Sequence, residues 1–228
     1  MALTNRMIAC LIDQKQGEML RDIRTNYEKF ELLESGINQD PFEQLRSWLE
    51  EAISGKEKEP TAIVLSTIDE TGFPDSRVVL LKELKADGLV FYTNYDSRKG
   101  RQILINQHVA ANFFWPGHER QVRIKGIAEK IDETESVDYF ISRPTDSKIG
   151  AWASPQSQVI ENREFLEENY RSYQEYFKNR QIEKPPHWGG FLIHPQYFEF
   201  WQGRSNRLHD RFEFCLSGNE WIIHRLAP

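Results

Sequence analysis

The sequence predicts an α+β protein in which an antiparallel barrel or sandwich carries helices packed around its outside. Three observations point there. From residue 61 to 131 short runs rich in Val, Ile and aromatics follow one another with turn residues between them; no strand–helix–strand alternation appears that would build a parallel sheet; and no segment repeats.

The elements follow in chain order. Residues 1–39 alternate polar and apolar positions without a strong stripe and read as a partly ordered arm; residues 40–228 read as one domain. Asp40-Pro41 starts a helix, with Asp as N-cap, Pro at the first helical position and Glu43 three residues after the cap, and Phe42, Leu45, Trp48, Leu49 and Ile53 form its expected buried face. AIVLSTI, SRVVLLKEL and GLVFYTN are strands, separated by the turn sequences DETG and KADG, and HVAANFFW and RQVRIKGIAEKI follow. Between them DSRKGRQILINQ is a helix opened by Asp96 or Ser97, which puts two basic residues in a first turn that disfavours cations, so an anion there would offset them. DETESVDYFISRP is a helix capped by Asp132 and ended by Pro144, with Ser147 in the turn beyond; NREFLEENYRSYQEYF is another, with a Phe165, Tyr170, Tyr173 and Phe177 stripe. GGFLIHPQYFEFW, RFEFCLS and EWIIHRLAP return to strands.

Composition narrows the function. Hydrophobic residues make up 39% of 228 positions and aromatics 12%, enough apolar area for a folded core. A net charge of -6 argues against a general nucleic-acid or membrane-surface binder, so any anion site is local. Cys10 and Cys215 have no metal-type spacing and suit a reducing compartment, and the apolar run MIACLI is too short for a signal-peptide core or a span; the chain reads as cytoplasmic. The six histidines show no ligand spacing, so no metal is expected, and no nucleophile elbow, Walker loop or GxGxxG is present.

Cations cluster beside hydroxyls or aromatics in four segments: Arg77 and Lys82; Thr93, Ser97, Arg98 and Lys99; Tyr139, Arg143 and Ser147; and Arg207, His209 and Arg211. Such sets hold phosphates. Each has a bland counterpart. Ser97 to Lys99 equally describes a solvated helix start; Arg77 and Lys82, five apart, face opposite sides of a regular strand; Tyr139 and Arg143 alone form a surface cation–π pair. The last row is harder to dismiss: on a strand Arg207, His209 and Arg211 share one face while Asp210 points to the other, so an anion is needed among them. Phosphate grips and aromatics without a nucleophile suit an enzyme whose cofactor does the chemistry.

In this order RVVLLK, FYTNYDSRKG, ERQVRIKG, SRPTDSKIGAWASPQS, FWQGRSNRLHDRF and the terminal RLAP resemble the pyridoxamine 5′-phosphate oxidase family, FMN enzymes that make pyridoxal 5′-phosphate. The likeness runs from about residue 40 to Pro228. It implies a split β-barrel and a homodimer with FMN at the subunit interface. Arg77, Val78, Val79, Leu80, Leu81, Lys82, Tyr92, Thr93, Arg98 and Lys99 would bind FMN, completed by Gln121, Gln156, Ser157, Trp201 and Arg211, some from the second subunit. Lys82, Tyr139, Arg143 and Ser147 would grip the substrate phosphate, with Arg207 and His209 over the pyridine ring as the catalytic pair, and Arg24 and Tyr27 closing from the arm. The implied reaction moves a hydride from C4′ of pyridoxamine or pyridoxine 5′-phosphate to the flavin, which O2 reoxidises with release of H2O2. The rival from another class is a flavin- or pyridoxal-phosphate-binding carrier without turnover; a second phosphate grip favours the oxidase.

Overall fold

The computed structural model describes residues 20–228. Cys10, the MIACLI run and the first half of the arm lie outside the described residues.

Helix α1 (Pro41–Ser54) precedes the sheet, and Asp40 caps it by accepting a hydrogen bond from the Phe42 amide at 2.8 Å. The strands are β1 (Ala62–Ile68), β2 (Pro74–Leu80), β3 (Glu83–Leu84), β4 (Leu89–Asn94), β5 (His108–Trp115), β6 (Arg120–Lys130), β7 (Trp188–Gln202), β8 (Asp210–Ser217) and β9 (Glu220–Arg225). Helix α2 (Arg98–Ile105) lies between β4 and β5, while α3 (Glu133–Ser142), α4 (Thr145–Ala153) and α5 (Arg163–Phe177) fill the long connection from β6 to β7. All pairings are antiparallel and run β2-β1-β5-β6-β7-β4-β3, with β8 also on β7 and β9 on β8. This is the curled split barrel expected.

β7 organises the sheet. It pairs with β6 along one edge, while on its other edge β4 takes Trp188 to Ile193 and β8 takes Tyr197 to Gln202. The changeover falls at a bulge: Lys125 faces Tyr197 but Gly126 faces Pro195, leaving Gln196 as the extra residue. Pro195, which has no N–H to give, sits where the ladder is interrupted. The inner face packs Ile63, Leu65, Phe113, Trp115, Val122, Ile124, Phe198, Phe200 and Phe214 into the core, and α1 covers it with Phe42 against Phe198 and Trp48 against Phe200.

Four readings of the sequence are corrected. Ile53 of α1 is exposed and Ala52 is buried in its place. SRVVLLKEL is two strands: β2 ends at Leu80 and Lys82 lies in the break before β3, which removes the objection that Arg77 and Lys82 face apart on one strand. Ser147 lies in helix α4, not in a turn. Arg207, His209 and Arg211 do not form a strand row, because Ser205–Arg207 is a 3₁₀ turn in which Asn206 and Arg207 both take left-handed backbone angles, and β8 begins only at Asp210.

The bulge gives a two-sided test. A Cβ on Gly126 would meet the His194 carbonyl oxygen at 2.2 Å and Pro195 Cα at 3.0 Å, whereas one on Gly150, in α4, meets nothing within 4 Å. Gly126→Ala is expected to destabilise by about 1–3 kcal/mol and Gly150→Ala to stabilise by about 0.4–1 kcal/mol. Calorimetric midpoints moving in opposite directions for the two variants are the expected result.

Candidate functional site

β2, the outermost strand of its end of the sheet, borders a cavity of about 650 Å³ together with β4, α2, α3, α4 and the start of β7. Arg77, Lys82, Lys99 and Arg143 line it, and no carboxylate does. At one end, Lys99 Nζ donates to Thr93 Oγ1 at 3.1 Å and Gln156 Oε1 at 3.3 Å. Burial, with the Arg77 charge beside it, lowers the Lys99 ammonium below its ordinary range. Arg77 is braced by Asp75 at 2.6 Å and Thr67 at 2.6 Å.

The other end is aromatic. Tyr92 stacks on Tyr139 at 3.8 Å and on Trp188 at 5.3 Å, and the Arg143 guanidinium lies 4.7 Å over the Trp188 ring. Burial pushes the Tyr92 hydroxyl up to about 12 and raises that of Tyr139, so both remain protonated donors near neutrality. Arg143 follows α3 as its C-cap, and Ser147 reaches the same space from α4. Burial lowers Arg143, and its Nη1 is a buried donor with no hydrogen-bond partner. A buried guanidinium N–H left unpaired costs free energy that an anionic acceptor would recover.

The cavity thus gathers Arg77, Val78, Val79, Leu80, Lys82, Tyr92, Thr93, Lys99, Tyr139, Arg143, Ser147 and Gln156. Leu81 is instead a core residue, Arg98 is exposed and lines a separate depression with Asp69 and Asp75, and Ser157 is exposed. Trp188 lines the cavity although the sequence reading passed over it; a Trp directly before the Gly189-Gly190 pair was the available signal.

The remaining expected residues form a second cluster. Gln121, Trp201 and Arg211 stand side by side across β6, β7 and β8. Trp201 packs against His209 at 4.6 Å and against Tyr27 at 5.7 Å; Arg24 and Arg207 are exposed. His209 Nδ1 accepts from the Arg204 amide at 3.1 Å, and burial, reinforced by Arg207, lowers its pKa. The anion inferred among the arginines is supplied by the protein: Glu199, buried, pairs with Arg211 at 2.9 Å and Arg123 at 2.7 Å. Asp210 is also buried; its carboxylate accepts from the Leu32 amide of the arm, from Arg204 at 3.0 Å and from Arg225 at 2.9 Å.

An antiparallel split barrel whose edge strand borders a cation-lined cavity defines a split-barrel protein with a pocket suited to an anionic ligand. Residues 49–176 match the family model described as pyridoxamine 5′-phosphate oxidase, and 188–228 match the pyridoxine 5′-phosphate oxidase C-terminal dimerisation region. The chain belongs to the pyridoxamine 5′-phosphate oxidase family. Curated relatives named pyridoxine/pyridoxamine 5′-phosphate oxidase include one from Synechocystis, 48% identical over 93% of this chain and 99% of its own, and one from Acidovorax, 50% identical over 92% and 96%. Among solved structures, PhzG from Burkholderia lata, in complex with tetrahydrophenazine-1-carboxylic acid, superposes with a TM-score of 0.83 at 26% identity, covering 90% of this chain and all of that one. A pyridoxamine 5′-phosphate oxidase-related, FMN-binding protein from Nostoc punctiforme shares the fold with a TM-score of 0.66 at 16% identity over 84% of this chain and all of that one.

The Asp210 carboxylate predicts a pH dependence. Burial raises its pKa, but the Leu32 amide, Arg225 and Arg204 outweigh that and hold it below the ordinary value. A depressed carboxylate stabilises the fold above its unfolded pKa of about 3.9, and the contribution is lost as pH falls through the lower folded value. Asp210→Asn is therefore expected to be less stable than the parent at pH 7, with urea midpoints of the two converging below about pH 4.

Proposed function

We propose that this chain oxidises pyridoxamine 5′-phosphate and pyridoxine 5′-phosphate to pyridoxal 5′-phosphate, using FMN and O2 and releasing H2O2, and that the cation-lined cavity is its active site. The observation that carries this reading is the buried, unpartnered Nη1 of Arg143 in a cavity with four cations and no carboxylate. The relatives at 48% and 50% identity bear the same activity in their names.

The residues present fit FMN. Arg77 and Lys99, with the hydroxyl of Thr93 and the amide of Gln156, would take its phosphate, and the outer edge of β2 at Val78 to Leu80 offers apolar side chains and unpaired backbone groups to a flat ring. Bound FMN supplies the acceptor for the hydride that leaves C4′ and passes the electrons to O2. Lys82, Tyr139, Arg143 and Ser147 would hold the substrate phosphate, with the Trp188 ring supporting the Arg143 guanidinium. A phosphate anchored there would fix the ring through the carbon next to the one that bears C4′, and alignment of C4′ would be the protein's main contribution to rate. We assign the protein to the cytoplasm, on its cysteine usage. No helix among the described residues is long and apolar enough to cross a membrane.

The protein is a homodimer, and the ladder supports a site built from two chains. Val78, Val64, Asn112, Arg123 and Glu199 are cross-strand neighbours in one row from β2 to β7. Four strand spacings at about 4.8 Å separate Val78 from Glu199, two residues before Trp201, by roughly 19 Å along the sheet. Along β7, Trp188 and Trp201 are thirteen residues apart, on the order of 40 Å if straight. These separations support a reading in which Gln121, Trp201 and Arg211 would serve the cavity of the partner subunit rather than their own, with Arg207, His209 and Tyr27 beside them.

Purified protein is expected to be yellow and, on addition of pyridoxamine 5′-phosphate in air, to form pyridoxal 5′-phosphate and H2O2. FMN-loaded protein that forms neither would overturn the assignment and leave a carrier. A tricyclic carboxylic acid of the kind held by the Burkholderia protein lacks the phosphate this grip accepts, and should be a poor substrate.

Arg143→Ala separates the two grips. Loss of a charged hydrogen bond to phosphate is worth about 1.5–3 kcal/mol, so KM should rise roughly tenfold to a hundredfold while the flavin spectrum stays. Loss of flavin with unchanged KM would mean the grips are assigned the wrong way round.

A further inference from the structure

The C-terminal hairpin gathers three metal-ligating side chains that no spacing in the sequence announces. Glu213 and Cys215 alternate onto one face of β8, the face that carries Arg211, and His224 of β9 stands opposite Glu213 in the antiparallel register. A Glu213 oxygen, the Cys215 sulfur and a ring nitrogen of His224 all lie within 4.8 Å of one another, with His224 Nδ1 3.5 Å from a Glu213 oxygen. We propose that Glu213, Cys215 and His224 form a binding site for a divalent transition-metal ion of the zinc type, one site per chain, with the fourth coordination position left to water.

The donor set selects the ion. One thiolate, one imidazole and one carboxylate suit Zn2+ and its borderline neighbours, whereas Ca2+ and Mg2+ take all-oxygen sites. Metal–ligand bonds of about 2.0–2.3 Å place tetrahedral donors roughly 3.3–3.7 Å apart, so the observed spacing needs only small rotamer adjustments. The backbone is already set, since paired strands hold facing Cβ atoms about 4.5–5.5 Å apart. Two anionic ligands offset the ion's charge, and the thiol proton passes to solvent as the bond to sulfur forms. The cation nearby on the same face, Lys125, is engaged 4.4 Å over the ring of Tyr197, which pairs with Cys215. Access is open in the single chain: the His224 side chain is 56% exposed and that of Glu213 23%.

Occupancy would tie β9 to β8. The residue after His224 is Arg225, which clasps Asp210 and Glu34, so a metal at this point would stiffen the strand that anchors the arm. The site also falls within the segment matching the dimerisation region, and the test therefore uses the intact FMN-loaded dimer.

Untagged holoenzyme carrying Cys10→Ser, so that Cys215 is the single thiol, is dialysed against buffered Zn2+. The expected result is one zinc per chain with micromolar or tighter affinity, weakened by about tenfold or more in Cys215→Ser and in His224→Ala. Independently of variants, saturating Zn2+ should slow alkylation of Cys215 by iodoacetamide. Co2+ should give visible bands to the red of the flavin that Cys215→Ser lacks. Zinc uptake unchanged by both substitutions, or an alkylation rate indifferent to saturating Zn2+, would overturn the proposal. FMN content and turnover test the oxidase reading separately, because the metal proposal does not rest on it.

Discussion

The continuous pairing of β7 is the constraint on which the remaining architecture depends. One strand serves β6 along one edge and divides its other edge between β4 and β8, and the division falls where Pro195 and the extra Gln196 interrupt the ladder. The bulge tolerates no side chain on Gly126, so the bend is written into a single position. Trp188 opens the strand in the cavity and Trp201 closes it in the second cluster. The same strand that builds the barrel therefore holds the cavity and the second cluster apart, and in the proposed site dimerisation would reunite them.

Whether a cation here is structural or available to a ligand follows from what already answers its charge. Arg211 and Arg123 share Glu199, Arg204 and Arg225 share Asp210, and Arg120 is held by Gln202 and Glu51 over the ring of Trp48. These groups bind strands and arm together. Lys82, Lys99 and Arg143 have no carboxylate within ion-pair distance among the described residues, and they converge on one cavity. Like charges gathered on one cavity cost free energy that a bound anion would recover, so the cavity suits an anionic ligand. Arg77 is intermediate, paired with Asp75 yet still facing the cavity, and Arg211 is similar, its donors partly engaged by Glu199.

Much of this was legible in the sequence because the signals were local. Strand runs of alternating burial, the Asp40-Pro41 and Ser97 caps and the DETG and KADG turns each act within a few residues, and the strands follow the runs read from sequence closely. The cavity was legible through clustering of cations with hydroxyls, although the resemblance, not spacing, assigned their ligands. What failed was tertiary. The RLHDR stretch looks like a strand row, but the buried Asp210 carboxylate needs Arg204, Arg225 and the Leu32 amide around it, and the chain turns at Asn206 and Arg207 to bring them there. Helix α4 was missed because it begins immediately after Pro144 with no side-chain cap, so only a turn was visible. Glu213, Cys215 and His224 meet through cross-strand register, which no linear spacing encodes.

The same turn determines what His209 can do. Arg204 donates its backbone N–H to Nδ1, so the neutral ring carries its proton on Nε2 and presents a donor there. Burial and the neighbouring Arg207 charge both disfavour adding a second proton, which keeps the ring neutral near physiological pH. A neutral imidazole with Nδ1 occupied and Nε2 protonated can hydrogen-bond to an acceptor but has no free lone pair with which to act as a base. It is further wedged between Trp201 and Tyr27, which limits its movement. Such a group is suited to position a ligand atom rather than to relay protons. That role suits a reaction in which a flavin takes a hydride and the protein's task is to hold donor carbon and acceptor ring in line. The proton lost as C4′ is oxidised would pass from the substrate's own hydroxyl or amine to solvent, and the histidine's value would lie in its fixed tautomer.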